Sequence, residues 1–361
     1  MHDNHIPLVI LGGGIIGLTI ANELLESGFK DFCILDKAQY LGDHSSGRNS
    51  GVMHAGLYYP KDSLKRKFCI EGLSLWKDFC KKHNLFHKNC GKYIFTTEEN
   101  ESSLLELFER AKNNGVEVRL ATSQEVSTIS EYANADIAFF SPNTSIIDPS
   151  ECISFLKNHL EKNDIPILLN QKVERLEVVD GGFLIQVNGE EIYTEKLINA
   201  CGLGAVDVRE KLGLKNIQNK LVKGHYVRSQ IPFFNDSLLY PIPLKNLKGL
   251  GVHTCIDSDG SIKFGPDAQD TNSVDYSLNA ENIELLKNEV LQNFKITRDK
   301  LSEDYVGVRS KIIKDGELYT DFYIGDDSEH GIKNYIELLG IESPGFTSSL
   351  ALAKFISNLI V

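Results

Sequence analysis

The sequence has no excess of basic residues and no long apolar run. Its 38 Lys and Arg residues are outnumbered by 50 Asp and Glu residues, which gives a formal net charge of −12 at pH 7. Because nucleic acids are bound through basic faces that neutralise phosphates, this balance argues against a nucleic-acid partner. An acidic protein can still form a locally positive cleft, so a small anionic substrate is compatible with it.

Signals for a membrane span or a metal site are also scarce. No apolar run is long enough for a transmembrane segment, and the polar N-terminus lacks the basic and apolar regions of a signal peptide. The 7 cysteines are scattered without a Cys-x-x-Cys pair, so we expect neither a zinc site nor a redox dithiol. We therefore expect a cytoplasmic protein without a metal, and a peripheral contact with the inner membrane stays open.

The N-terminal stretch carries the strongest motif of the chain. An apolar run, Leu8–Leu11, predicts a buried parallel strand, and three glycines in the spacing G-x-G-x-x-G follow before an amphipathic helix. Such a turn brings backbone N–H groups at the helix start close to a pyrophosphate. A second strand, Phe32–Leu35, ends in Asp36, about 20 residues on, where an acid would bind a ribose hydroxyl. The predicted dinucleotide contacts in this unit are Gly12, Gly14, Ile15, Ile16, Gly17, Asp36 and Lys37.

The pattern of the chain changes twice after this unit. Antiparallel strands are predicted between residues 221 and 265, and a strand–turn–helix pattern returns near the end. We predict an α/β fold, in which a Rossmann-like dinucleotide-binding domain carries an inserted α+β substrate domain with an antiparallel sheet. The predicted segments are 1–90, 145–215 and 305–361 for the first domain, and 91–144 and 216–304 for the second.

Local signals predict where several elements begin and end. Apolar residues at helical spacing predict a helix over Leu64–His83. Asp148 is placed to cap a following helix whose first residue is Pro149. A buried strand, Lys196–Ala200, ends in a second glycine turn, and an apolar helix over Thr347–Ile360 closes the chain.

These motifs carry a resemblance to a known family. The chain resembles the FAD-dependent D-amino-acid-oxidase superfamily in three stretches, Gly12–Gly17, Arg48–Tyr59 and Asn199–Leu203. It is similar to the L-2-hydroxyglutarate oxidase/dehydrogenase branch in four more, Lys223–Tyr226, Gly249–His253, Lys263–Asp267 and Gly307–Arg309. Together these stretches cover nearly the whole chain.

The resemblance implies that the dinucleotide is FAD rather than NAD, and that the turn before the last helix lies against the isoalloxazine ring. Asp36 stands where flavoproteins more often carry Glu, and Cys201 stands where alanine is usual, but neither departure opposes FAD binding. The further FAD contacts that we predict are Ser45, Arg48, Asn49, Ser50, His54, Val173, Cys201, Gly202, Ser343, Pro344, Gly345, Phe346 and Thr347.

The resemblance implies oxidation of L-2-hydroxyglutarate or a close L-2-hydroxy acid, with hydride transfer to flavin N5 and oxygen or a quinone as electron acceptor. Such a reaction needs a cation for the carboxylate, and Arg309 offers a planar fork within a predicted strand. It also needs a base, for which His54 and His253 are the candidates. The secondary substrate-binding candidates are Lys223, His225 and Tyr226.

Two other functions are compatible with the same motifs. An amino-acid or sarcosine-type oxidase would use the same fold, but an amine that binds in its neutral form needs no strong base. A non-catalytic flavin-binding redox sensor would need the glycine turn but not the set of histidines and arginine. A covalent bond between His54 and the flavin, as in some members of the superfamily, is a further option.

Overall fold

The computed structural model describes residues 4–243 and 251–360. Within these ranges the strands are β1 His5–Leu11, β2 Phe32–Leu35, β3 Val52–Met53, β4 His87–Lys88, β5 Lys92–Thr96, β6 Arg119–Leu120, β7 Ile137–Ser141, β8 Ser145–Ile147, β9 Ile167–Leu168, β10 Val173–Val179, β11 Gly182–Val187, β12 Glu190–Asn199, β13 Ile217–Ser229, β14 Leu238–Pro241, β15 His253–Ile256, β16 Ile262–Gly265, β17 Gln269–Thr271, β18 Leu301–Lys314, β19 Glu317–Tyr319, β20 Tyr323–Gly325 and β21 Tyr335–Leu339. The α-helices are α1 Ile15–Glu26, α2 Leu64–His83, α3 Glu101–Asn113, α4 Ser123–Ser130, α5 Pro149–Lys162, α6 Ala205–Lys211, α7 Ala280–Asn293, α8 Asp327–His330 and α9 Gly345–Ile360.

The first sheet has β1 at its centre. β1 pairs in parallel with β2 and β12, β2 continues to β9, and β12 continues in parallel to β21. The four residues Leu8–Leu11 are completely buried, as expected of a parallel strand covered on both faces. Helices α1, α2, α5 and α9 contribute to the apolar core on one face, and the β10–β11 hairpin packs on the other. This is the predicted Rossmann-like arrangement.

The second large sheet is antiparallel and has the strand order β15-β16-β13-β18-β19. β13 and β18 pair along nearly their whole length, from Ile217 opposite Lys314 to Ser229 opposite Leu301. A separate apolar core joins this sheet to the four-stranded sheet β14-β5-β7-β6 and to helices α3 and α7. The inserted antiparallel domain is therefore present, with its own core.

The structure corrects one predicted boundary and adds elements that were not predicted. The boundary at 304/305 falls inside β18, so residues 305–314 extend the antiparallel sheet instead of returning to the first domain. Helix α4 and strand β14 were not predicted. Within the region 221–265, where antiparallel strands were predicted, residues 244–250 lie outside the described residues, and β15 begins at His253.

Several local predictions are confirmed. Helix α2 spans Leu64–His83, as its apolar spacing indicated. The carboxylate of Asp148 accepts hydrogen bonds from the first N–H groups of α5, and Pro149 is the first residue of that helix.

Across residues 4–243 and 251–360, no helix combines the length and the apolar character that a bilayer span requires.

Candidate active site

A cavity of about 640 Å³ lies between the two sheets. Its size is typical of pockets that hold cofactors and small ligands. Both the first glycine turn and the antiparallel sheet contribute to its wall. The predicted site residues that line it are Gly12, Gly14, Ile15, Ile16, Asp36, Ser45, Arg48, Asn49, Ser50, His54, Cys201, Gly202, Tyr226, His253, Arg309, Ser343, Pro344, Gly345, Phe346 and Thr347.

The first glycine turn closes one end of this cavity. Gly12 has a φ of +109°, a backbone conformation that side chains rarely adopt. A β carbon on Gly17 would overlap the carbonyl oxygen of Gly12, so only glycine lets α1 lie this close to the sheet. The Ile15 N–H donates to Ser46 Oγ at 2.9 Å, and the other N–H groups of the first turn of α1 stand at the positive end of the helix, where an anion binds.

Asp36 is held at the edge of the cavity where β2 ends. Its carboxylate accepts hydrogen bonds from the backbone N–H of Gly13 at 2.5 Å and from that of Ala38 at 2.7 Å. These two bonds orient a carboxylate beside the phosphate turn, which is the position required for a ribose hydroxyl. The shorter side chain of Asp, compared with Glu, therefore still reaches the cavity wall.

The turn before α9 builds another part of the cavity wall. Ser343 and Thr347 join it to the His54 loop, because Thr347 Oγ1 accepts the His54 backbone N–H at 3.1 Å and Ser343 Oγ lies 3.2 Å from His54 Nε2. The first turn of α9 carries no acidic residue, and Phe346 and Thr347 line the cavity there. A helix N-terminus at this point stabilises negative charge on a bound group.

These features fit FAD better than a compact ligand. The phosphate turn and Asp36 form a dinucleotide part, and the α9 N-terminus lines the same cavity together with residues of the antiparallel sheet. A flavin bound there would accept two electrons, and the helix end would favour the negative charge of its reduced ring.

Arg309 is a cation that the antiparallel sheet presents to the cavity. It lies in β18 opposite Val222, and its Nη2 donates to the carbonyl oxygen of Asp267 at 3.0 Å. Among the described residues, no carboxylate lies within ion-pair distance of its guanidinium. Arg309 is thus oriented by a neutral acceptor and keeps its charge for an anionic ligand.

His253 is held in one tautomer by its surroundings. Its Nδ1 lies 2.8 Å from the carbonyl oxygen of Gly251, which can only accept, so Nδ1 carries the proton and Nε2 keeps a lone pair. The ring stacks on Tyr240 with a centroid distance of 3.9 Å. Burial lowers the pKa of His253 to about 3, and the positive charges of Lys92 and Arg309 act in the same direction.

His54 also lines the cavity. It is 8 % exposed, and its Nδ1 has no hydrogen-bond partner among the described residues. Burial holds the pKa of His54 well below its ordinary value, with further contributions from Lys92 and His253. Both candidate bases are therefore uncharged at neutral pH, as a group that accepts a proton must be.

The structure places two of the predicted substrate-binding residues away from the cavity. Lys223 Nζ pairs with the carboxylate of Asp275 at 2.7 Å, and the fully buried His225 contacts the carboxylate of Asp267 through Nδ1 at 3.1 Å. Successive side chains of a strand point to opposite faces, so Tyr226 lines the cavity while Lys223 and His225 do not. The predicted cofactor contacts Gly17, Lys37 and Val173 are also absent from the lining, and Val173, the first residue of β10, packs against an apolar core.

Sequence reasoning missed an ion-pair cluster in the cavity wall and one buried lysine. Glu342 pairs with Lys65 at 3.0 Å and with Lys311 at 2.6 Å, and all three line the cavity. Burial opposes ionisation of Glu342, yet the two lysines hold its pKa below the ordinary value. The second is Lys92, a completely buried lysine in β5. Its signal in the sequence was a lysine two residues before Ile94 in an otherwise apolar strand.

Together, a phosphate turn, a helix N-terminus for the reduced ring and an antiparallel sheet with an unpaired arginine define a FAD-dependent oxidoreductase. The sequence model of the family DAO, described as FAD dependent oxidoreductase, matches residues 7–359. The chain belongs to this family.

Relatives and solved structures agree with this assignment. The chain is 31 % identical to the mitochondrial L-2-hydroxyglutarate dehydrogenase of Arabidopsis thaliana, covering 98 % of this chain and 83 % of the relative. It is 28 % identical to the human protein of the same name, over 97 % of this chain and 88 % of that one. In structure it is similar to the dithionite-reduced L-α-glycerophosphate oxidase of Mycoplasma pneumoniae with FAD bound. That likeness has a TM-score of 0.88 at 23 % identity and covers 99 % of this chain and 94 % of the other.

Proposed function

We propose that this chain oxidises L-2-hydroxyglutarate, or a close L-2-hydroxy acid, to the 2-oxo acid, with hydride transfer from C2 of the substrate to N5 of the flavin. The names of its full-length relatives support the substrate class. The observation that carries the proposal is the cavity itself, whose wall includes two uncharged histidines and Arg309, which has no ion-pair partner among the described residues. A cation, a base and an adjacent flavin are the three groups that this oxidation requires.

Arg309 binds the carboxylate of the substrate in this proposal. Its guanidinium can form two parallel hydrogen bonds to a carboxylate, which orients the carbinol carbon as well as holding the anion. Tyr226 lines the same wall and supplies an apolar face and a hydroxyl. Amino acids carry the same carboxylate. Arg309 therefore selects for a carboxylate group and does not distinguish a hydroxyl from an amino group on the neighbouring carbon.

The hydroxyl proton goes to His54 or His253. Each is buried at the cavity and uncharged, and His253 Nε2 has a lone pair available because Nδ1 is bonded to Gly251. When the carbon–hydrogen bond breaks, its electron pair leaves with the hydride, and the oxygen becomes a carbonyl once the histidine has taken the proton. The acceptor that later receives the electrons is oxygen or a quinone. The proposed location is the cytoplasm, with a peripheral contact to the inner membrane as the alternative.

Anaerobic reduction of the purified yellow protein tests this function. We expect L-2-hydroxyglutarate to bleach the flavin absorbance, and D-2-hydroxyglutarate, glycine and sarcosine to leave it oxidised. Bleaching by the amines but not by hydroxy acids would favour the amino-acid or sarcosine-type oxidase. A flavin that dithionite reduces, but none of these compounds does, would favour a redox sensor.

A further inference from the structure

Lys92 carries a buried amine with no carboxylate beside it among the described residues. Its side chain is completely buried, and among the described residues its Nζ has neither a hydrogen-bond acceptor nor a carboxylate within ion-pair distance. Lysine is almost never fully buried without a partner, because the ammonium loses its hydration. Neither the glycine turn nor the binding of a carboxylate by Arg309 accounts for this residue.

Two tyrosine rings surround the Lys92 ammonium. Its Nζ lies 4.8 Å from the ring centre of Tyr58 and 4.4 Å from that of Tyr240, at distances where a ring face attracts a cation. Tyr240 in turn stacks on His253. The hydroxyls of Tyr58 and Tyr240 and the Nδ1 of His54 are also buried without partners among the described residues. These unpaired polar atoms form one cluster behind the cavity wall.

The remaining ionisable groups around this cluster do not supply a negative charge to Lys92. Burial raises the pKa of Cys69 to about 12 and that of Cys90 to about 11, so both thiols are neutral at pH 7. Burial also raises the pKa of Tyr58, Tyr59 and Tyr240.

Among the described residues, the charged groups that act electrostatically on the cluster are either cations or a carboxylate already paired with lysines. Arg309 acts on His253 and Arg110 acts on Tyr58, and both are positive. Glu342, which faces Tyr59, is paired with Lys65 and Lys311. Lys92, His54 and His253 are therefore the groups that compete for a proton inside the cluster.

We propose that Lys92 is a positioning residue: the first proton that enters this cluster resides on its amine, and that charge keeps His54 and His253 uncharged. Two like charges at close range in a poorly solvated interior repel strongly, so a charged Lys92 disfavours a second proton on either ring. The histidines then stay able to accept the hydroxyl proton even in mildly acidic solution. This last consequence rests on the proposed function, whereas the order of protonation does not.

The order of protonation follows from solvation and from neighbouring charge. All three groups lose hydration on burial, which favours their neutral forms. Burial lowers the pKa of Lys92 to about 7, which is still above the pKa of His253, lowered to about 3, and of His54, lowered well below its ordinary value. Arg309 adds its repulsion to His253.

Nuclear magnetic resonance of the flavin-loaded protein without substrate tests the order of protonation. In wild-type protein labelled at lysine Cε, we expect one lysine to titrate near neutral pH and to be missing from Lys92→Arg. In protein labelled at histidine nitrogens, Lys92→Met should move the titration of His54 or His253 to higher pH by about one unit, and Lys92→Arg should not. The inference is overturned if every lysine titrates above pH 9. It is also overturned if neither histidine changes its titration between wild type and Lys92→Met.

The kinetic consequence is a shift in the pH profile of flavin reduction. For Lys92→Met, we expect the acid limb in the pH profile of the anaerobic reduction rate to shift to higher pH by about one unit. At a pH below the limb, this shift is about a tenfold loss of rate. Lys196→Met is the matched control, since Lys196 Nζ donates to the carbonyl of Ile360 in the first domain, and its profile should equal that of wild type. An unchanged acid limb in Lys92→Met would refute the effect on the base. If no hydroxy acid reduces wild-type flavin, the proposed function fails while the resonance titration still decides the role of Lys92.

Discussion

Arg309 and Lys92 show two different ways in which this chain buries a cation. Arg309 is oriented by one backbone carbonyl and opens onto the cavity, so its charge is available to a ligand. Lys92 is closed off by aromatic rings and has no ligand side. The first arrangement suits binding, and the second suits an electrostatic effect on neighbouring groups.

Substitution of Arg309 by Met should raise the KM for the 2-hydroxy acid by roughly 10- to 100-fold, since a hydrogen bond to a charged group contributes about 1.5–3 kcal/mol. FAD content should stay unchanged, because the predicted FAD contacts do not include Arg309. Steady-state kinetics with the flavin spectrum as loading control measure both. Arg309→Lys should recover part of the loss, and an unchanged KM in Arg309→Met would contradict the assignment.

Substitution of Lys92 by Met should stabilise the fold at neutral pH. The pKa of Lys92 falls from 10.5 to about 7 on folding, so between these values the unfolded chain binds the extra proton. Stability is therefore lost as the pH falls from 10.5 to 7, by on the order of 3 to 5 kcal/mol, and Met avoids this loss.

Urea unfolding of Lys92→Met at several pH values checks this sign. The gain over wild type should be largest near pH 7 and should shrink to about half by pH 9, because the unfolded lysine is then closer to neutral. Lys92→Arg keeps the charge and should show no gain. Equal unfolding free energies of wild type and Lys92→Met at pH 7 would show that Lys92 is better solvated than its burial indicates.

At the scale of elements, two helix N-termini determine where the cofactor lies. α1 starts directly after the phosphate turn, and α9 starts at the turn that contacts the His54 loop. α9 also packs in the same apolar core as α1. A shift of either helix would therefore move part of the cavity wall.

Gly17→Ala should weaken FAD binding at least tenfold. The new methyl group would overlap the carbonyl oxygen of Gly12, and α1 would have to move away from the sheet together with its N–H groups. Gly204→Ala is the matched control, because its added carbon meets only ordinary contacts, the nearest at 3.5 Å from Lys37 Nζ. Flavin absorbance after gel filtration measures retention. Full FAD content in Gly17→Ala would mean that α1 can adjust without loss of the site.

At the scale of the whole molecule, the cavity joins two separately built cores. One core packs the helices onto the parallel sheet, and the other joins the antiparallel and four-stranded sheets. The cavity wall draws Gly12 and Asp36 from the first and Tyr226 and His253 from the second. A cofactor in this cavity contacts both, so its binding should be coupled to the stability of the entire fold.

The thermal midpoint of cofactor-free protein should therefore rise with FAD concentration. A ligand at about 100 times its Kd stabilises the native state by about 2.7 kcal/mol. ADP, which offers only the dinucleotide end and so should bind more weakly, should give a smaller shift than FAD at equal free concentration. Differential scanning calorimetry across a concentration series measures both. A midpoint that does not respond to FAD would mean that the folded protein does not bind the cofactor.

Much of the first domain could be predicted from residues close together in the sequence. The glycine spacing before α1, the Asp148–Pro149 start of α5 and the apolar spacing of α2 each depend on neighbours within one or two turns. Helix α4 was missed although Thr122 and Glu125 form a capping box at its start, which is also a local signal. Such signals act through the backbone of a few adjacent residues, so sequence alone can reveal them.

The sequence by itself determined the dinucleotide turn and the set of histidines and arginine from which a site could be drawn. Only the tertiary structure decided which of them face the cavity. Lys223 turns away and Tyr226 turns inward because the pairing of β13 with β18 sets the direction of alternate side chains. Lys92 is isolated only because Tyr58 and Tyr240, far apart in the chain, close around it. Burial and electrostatic repulsion depend on distances in space, and these are set when separate elements pack together.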